Sequence, residues 1–165
     1  MMPIAWVLFI ICLIGLSFGE ENVVKYGSKF QVLKVKVDPC PAPAKICPLI
    51  IGTTSKLSVE FIPNIRVHNL TVSVYGKVMG IYVPYPGVNS NGCRDSNLVC
   101  PLEKDQKYVY KMKVHVLSTY PKMKTVIKFN FHANMPDTDD EDVPERNDIC
   151  FQIKAEITDS PAARR

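Results

Sequence analysis

The sequence predicts an all-β protein, a single-domain antiparallel sandwich. Three observations carry that prediction. Short runs in which apolar and polar residues alternate with period two recur from residue 33 to residue 157. Turn and edge residues punctuate them, at Pro39, Pro41, Pro43, Gly52, Pro63, Gly87, Gly92 and Pro121. No stretch of ten residues holds a 3.6-residue period, so helices are not expected. A chain of 165 residues is long enough for one core and short for two.

The strands follow in order. LKVKV (33–37) alternates apolar residues with lysines, and LSVEF (57–61) and LTVSV (70–74) repeat the pattern. YVYKMKVHV (108–116) places Tyr108, Tyr110, Met112, Val114 and Val116 on one face. VIKFNFH (126–132) does the same with Ile127, Phe129 and Phe131, and ICFQIKAEI (149–157) with Ile149, Phe151, Ile153, Ala155 and Ile157. Five aromatics, Phe61, Tyr110, Phe129, Phe131 and Phe151, thus fall on inward faces. Between sheets about 10 Å apart they either fill a tight core or border a cavity. Periodicity alone does not choose between the two.

Residues 1–19, with an apolar run from Ile4 to Leu16 and a Ser17-Phe18-Gly19 ending, read as a secretory signal peptide. That run is short for a bilayer span, and residues 20–165 form the expected domain. The protein is expected to be secreted, with the endosomal or lysosomal lumen as a further destination. In an oxidising compartment the cysteines become informative. Cys40 and Cys47, and likewise Cys93 and Cys100, each enclose six residues of turn-rich sequence, and are expected to pair as two short staples. Cys150 is left unpaired. No zinc or redox Cys-x-x-Cys spacing occurs, and no metal site or cofactor is expected.

The formal charge of +4 conceals an asymmetry. Residues 137–148, DTDDEDVPERND, hold seven acids and one Arg; outside them 19 Lys and Arg face 9 Asp and Glu. A basic body favours anionic headgroups or surfaces. Scattering of the lysines along alternating strands argues against nucleic acid. The acidic run is expected to be a solvated loop, since Asp142 stands where a calcium loop needs Gly. His68, His115 and His132 are isolated, and no nucleophile has a base beside it, so no enzyme activity is expected. His115 falls on an outward phase. Asn69-Leu70-Thr71 is a glycosylation sequon.

Several motifs stand in register: VDPCP (37–41), VYGKVMGIYVPYP (74–86), GC…CPLEKD (92–105), YVY (108–110), TYP (119–121) and CFQI (150–153). In this order and spacing the chain resembles the MD-2-related lipid-recognition family, and within it the Niemann-Pick type C2-like secreted sterol carriers. The resemblance spans nearly all of the chain after residue 19. It implies an immunoglobulin-like sandwich of about seven strands with a lipid pocket between the sheets.

By position, it implies a pocket lining of Val37, Leu49, Val59, Phe61, Tyr85, Val116, Tyr120, Pro121, Phe129 and Phe151. It implies an apolar rim at Met79, Ile81 and Val83. The prolines at 84 and 86 are expected to take residues 82–86 out of the sheet ladder to form the pocket mouth. The implied ligand is a sterol, a fatty acid or another small hydrophobic molecule. It would be exchanged by a monomer with a membrane surface or a membrane-bound lipid receptor. Carriage of fatty acids or semiochemicals, and innate-immune recognition of bacterial glycolipid, are the alternatives. Members of the family usually carry a further cysteine where Tyr26 stands here, which is why Cys150 lacks a mate. Tyr82, Tyr85, Phe129 and Phe151 replace the family's commoner residues and widen the expected ligand set beyond sterols.

Overall fold

The computed structural model describes residues 23–25, 28–40, 45–134 and 148–160. The expected signal peptide, Tyr26 and all of the acidic run except Asp148 lie outside these residues. The described residues form nine strands and no helix: β1 (Val23–Lys25), β2 (Gln31–Asp38), β3 (Cys47–Ile50), β4 (Thr54–Ile62), β5 (Asn69–Val78), β6 (Ile81–Pro84), β7 (Tyr108–His115), β8 (Met123–Asn134) and β9 (Ile149–Thr158). They assemble into an immunoglobulin-like sandwich. One sheet runs β1-β9-β8-β5-β6, with β3 also on β9; the other runs β2-β4-β7.

The six strands read from alternation are all present. Three more are short, and they explain the excess over seven. β3 pairs with β9 in parallel, from Cys47 opposite Ala155 to Ile50 opposite Thr158, and is the one exception to antiparallel pairing among the described residues. β6 corrects the expectation for the proline-rich segment. Ile81–Pro84 pairs with β5, and the Tyr85 N–H still donates to the Val74 carbonyl at 2.8 Å. β6 is an edge strand, and the odd-numbered residues direct their N–H groups toward β5. Pro84 therefore lacks its donor only on the free edge, where none is needed. A second correction concerns Leu33. The β2–β4 register shifts between Val32 and Lys34, so Leu33 leaves the alternation and is exposed.

The core is filled unevenly. At one end Phe30, Phe61, Tyr110, Phe131 and Phe151 are buried. Tyr110 from the smaller sheet meets Phe131 from the larger edge-on, with ring centroids 4.9 Å apart, and Phe129 stacks on Phe151 at 4.9 Å. Such aromatic pairs contribute about 0.5–1.5 kcal/mol beyond their area burial.

Towards the other end the inward faces lose their aromatic bulk, before Met123 and Ile157 close the end of β8 and β9. β7 steps from Tyr110 through Met112 to Val114; β4 from Phe61 through Val59 and Leu57 to Ser55; β5 from Leu70 through Val72 and Val74 to Gly76. Along β8 and β9 the pairs opposite one another run Phe129–Phe151, Ile127–Ile153 and Thr125–Ala155. The registers bring the small ends of all five strands to the same side.

The two disulfides expected from spacing are formed, Cys40–Cys47 and Cys93–Cys100, and Cys150 is free and buried. Each closed loop contributes roughly 2.5 kcal/mol by loop-closure entropy. The Cys150 N–H donates to the Ser28 hydroxyl at 3.0 Å, and its thiol lies 3.1 Å from Asn130 Oδ1.

Candidate functional site: a cavity between the sheets

Where the side chains shrink, the sheets enclose a cavity of about 320 Å³. Val74, Gly76 and Val78 of β5 form one wall, and Met123, Thr125, Ile127 and Phe129 of β8 continue it. Val114 and Val116 face them from the smaller sheet, with Leu49 and Ile157 closing the side next to β3. Phe129, 3% exposed and stacked on Phe151, is the boundary between filled core and empty space. Gly76 keeps the middle of that wall open: a Cβ built there would have no neighbour within 4 Å.

The mouth is made by Val83 to Pro86 on one side and by Tyr120 and Pro121 on the other. The fold brings two phenols together here. The Tyr85 hydroxyl lies beside the His115 backbone and the Tyr120 hydroxyl. Burial, followed by the adjacent Tyr120, raises the Tyr85 phenol above the ordinary tyrosine range. A Cβ at Gly87 would run into the Tyr85 ring, so a larger residue there would push the ring from its place over the turn. The lining is otherwise almost wholly apolar, and these two hydroxyls are the polar features of the entrance.

Beside the mouth, β5 and β6 join through Met79 and Gly80, both at positive φ, 48° and 88°. This is the two-residue turn that matches the twist of a hairpin, with a methionine where a small polar residue is common. Met79 is 92% exposed, Ile81 70% and Val83 47%, an apolar lip in water. On the outer face behind it, Lys77 and Lys128 lie 5.6 and 5.9 Å from the centre of the Tyr82 ring, and the Tyr82 hydroxyl accepts a hydrogen bond from Gln152 at 2.8 Å.

Of the residues expected to line a pocket, Leu49, Tyr85, Val116, Tyr120, Pro121 and Phe129 border this cavity. Val37 borders a separate void of about 30 Å³ next to it. Val59, Phe61 and Phe151 do not reach it; they are sealed in the aromatic half of the core, 0% exposed. Of the expected rim, Val83 turns into the cavity, while Met79 and Ile81 stay outside at the hairpin. Sequence reasoning did not single out Val74, Gly76, Val114, Ile127 or Ile157 for the lining. The signal that could have found them is the common taper of the inward positions, and above all a glycine on the inward phase of a ten-residue strand.

His115 is exposed as its phase requires, 2.9 Å from the Thr54 hydroxyl. Asn69, at the start of β5, accepts the Leu70 N–H on its side-chain oxygen at 3.1 Å. No group of three or more metal-ligating side chains occurs among the described residues.

Comparison with known proteins places this architecture. Residues 24–157 match the model of the ML domain family. The chain is 35% identical over 132 residues to NPC intracellular cholesterol transporter 2 homolog a of Drosophila melanogaster, covering 79% of this chain and 83% of the relative. It is 32% identical over 157 residues to NPC intracellular cholesterol transporter 2 of Mus musculus, covering 94% and 97%. A crystal structure of a Niemann-Pick type C2 protein from the Japanese carpenter ant superposes with a TM-score of 0.69 at 23% identity, covering 81% of this chain and 97% of the other. With the family model spanning the sandwich from β1 to β9, the chain belongs to the ML domain family.

Proposed function

We propose that the protein is a non-enzymatic lipid carrier that holds a sterol or similar hydrophobic ligand between its sheets and exchanges it with a membrane or a receiving protein. One observation carries this reading: an apolar cavity of about 320 Å³ opens beside an exposed apolar lip. The relatives named as cholesterol transporters support it. Releasing a chain of roughly ten carbons into water costs about 8 kcal/mol, at ~0.8 kcal/mol per CH₂. Passing it from a bilayer to a dry cavity leaves most of that cost unspent. Met79, Ile81 and Val83 would meet the donor or acceptor surface, and the Tyr85 and Tyr120 hydroxyls would hold a polar headgroup. Residues 1–19 would direct the chain out of the cytosol, Asn69 would carry a glycan, and the working form would be a monomer.

A second reading, a carrier of fatty acids or similar slim molecules, is favoured by the volume. A cavity of 320 Å³ lies at the small end of the roughly 300–1,000 Å³ of ligand pockets. A slim chain needs less of that space than a rigid four-ring sterol. Displacement of a fluorescent sterol by cholesterol and by fatty acids separates the two, as does native mass spectrometry of the lipid that purifies with the protein. Saturable sterol binding competed by cholesterol supports the first reading. Binding of fatty acids without sterols supports the second, and binding of neither refutes the carrier function.

A further inference from the structure

Ser55 is out of keeping with its surroundings. It lies on the inward phase of β4, next to Leu57 in the taper, and is 3% exposed. Its hydroxyl is the one buried side-chain oxygen or nitrogen among the described residues that has no hydrogen-bond partner. Such a group carries the full cost of desolvation with nothing in return. An alanine would fit the same place without that cost.

The location narrows what the hydroxyl is for. Ser55 pairs across the ladder with Val114, which lines the cavity. Ser55 itself borders the void of about 30 Å³, and four residues of that void's wall, Leu49, Val114, Ile127 and Phe129, are also wall residues of the cavity. Only side chains therefore divide the two spaces. A single water would fit in the void by volume, but a stable buried water needs two to four polar partners. The other side chains bordering the void are apolar, apart from Lys56, which is on the opposite phase of β4, and Cys47, which is in a disulfide. Water is thus a poor partner for Ser55.

We propose that Ser55 is the inner polar anchor of the ligand site, hydrogen-bonding an oxygen at the buried end of an otherwise apolar ligand. This inference rests on the carrier reading and narrows its ligand class to molecules polar at both ends, of the ω-hydroxy fatty acid kind. The outer end meets Tyr85 and Tyr120. The two poles lie on opposite sides of β7: the His115 backbone meets the Tyr85 hydroxyl at its free edge, and Ser55 sits across from Val114 on β4. Two strand spacings, about 10 Å, separate them, a distance suited to a chain of medium length. A hydrophobic pocket with one placed hydroxyl discriminates strongly against ligands that leave it unpaired.

The test uses displacement of phenylnaphthylamine by decanoic acid and by ω-hydroxydecanoic acid, with the wild type and with Ser55→Ala. The wild type is expected to bind the hydroxy acid about tenfold more tightly than the plain acid. Ser55→Ala is expected to bind both equally, and the plain acid at least as tightly as the wild type does. A ligand-free measurement stands beside it: Ser55→Ala melts at a higher temperature than the wild type, because an unpaired hydroxyl has been removed. Equal binding of the two acids by the wild type, or a preference that survives in Ser55→Ala, overturns the inference and leaves the carrier reading standing. A lower melting temperature for Ser55→Ala overturns it independently, since the hydroxyl then has a partner within the protein. Failure of the probe and both acids to bind removes the carrier reading and this inference together.

Discussion

Gly76→Leu should make the protein more stable and a worse carrier at once. Gly76 lies inward on β5, lines the cavity, and offers an added side chain free space. Its φ is outside the left-handed region, so leucine brings no backbone strain there. Burying a leucine side chain contributes about 1.5–3 kcal/mol. Removing a glycine from a strand interior adds about 0.5–1 kcal/mol through lost unfolded-state freedom. A net gain of about 2–4 kcal/mol should raise the melting temperature by roughly 5–15 °C in a chain of this size.

Four added carbons fill a substantial part of the 320 Å³. A guest then loses burial of about four methylenes, about 3 kcal/mol, which weakens binding roughly a hundredfold. Thermal melts of the ligand-free protein and displacement of a bound fluorescent lipid read the two effects separately. A Gly76→Leu protein that melts lower would show that the space is not empty. One that melts higher yet binds as before would place the ligand elsewhere.

Three further outcomes follow from the same geometry. Val116→Arg introduces an unpaired charge into an apolar wall; ligand displacement should be abolished while the near-ultraviolet dichroism of the aromatic core is retained. Burial raises the Tyr110 phenol to about 12, against the ordinary value of 10.0. Its native form keeps its proton where the unfolded chain loses it, so stability is intact below pH 10 and falls between about 10 and 12, by up to ~1.4 kcal/mol per pH unit. Urea midpoints across that range should show the decline, and Tyr110→Phe should flatten it. Burial also raises the Cys150 thiol, with the Lys128 charge opposing. A disulfide reagent should therefore leave Cys150 unmodified in the native protein and label it rapidly in urea; prompt native labelling would contradict its burial.

Alternation revealed the six long strands because each has one face in the core and one in water. β3 and β6 escaped notice for a physical reason. Four residues are too few to display a period, and each contains a proline, Pro48 and Pro84, which argues against a strand until its free edge is known. The bulge at Leu33 was likewise invisible, because register belongs to two strands and not to one. Of the site, the phase of each strand indicates which residues face inward, but not the distance between the sheets. Phe61 and Phe129 therefore looked equivalent, yet one is sealed in the core and the other borders the cavity. The approach of Tyr85 to Tyr120 depends on how β6 and the segment after β7 meet at the mouth, which no local pattern encodes. The taper in side-chain size was present in the sequence. It becomes meaningful only when the ladder registers align the small ends.

That taper also determines where the molecule can yield. The aromatic half concentrates the contacts that resist separation, whereas at the valine and glycine half few atoms must disengage for the layers to part. Amide hydrogens near Gly76, Val114 and Thr125 should consequently exchange through small local excursions, well below the free energy of global denaturation. A bulky visitor would then enter by spreading one end of the sandwich, with the aromatic end serving as the hinge.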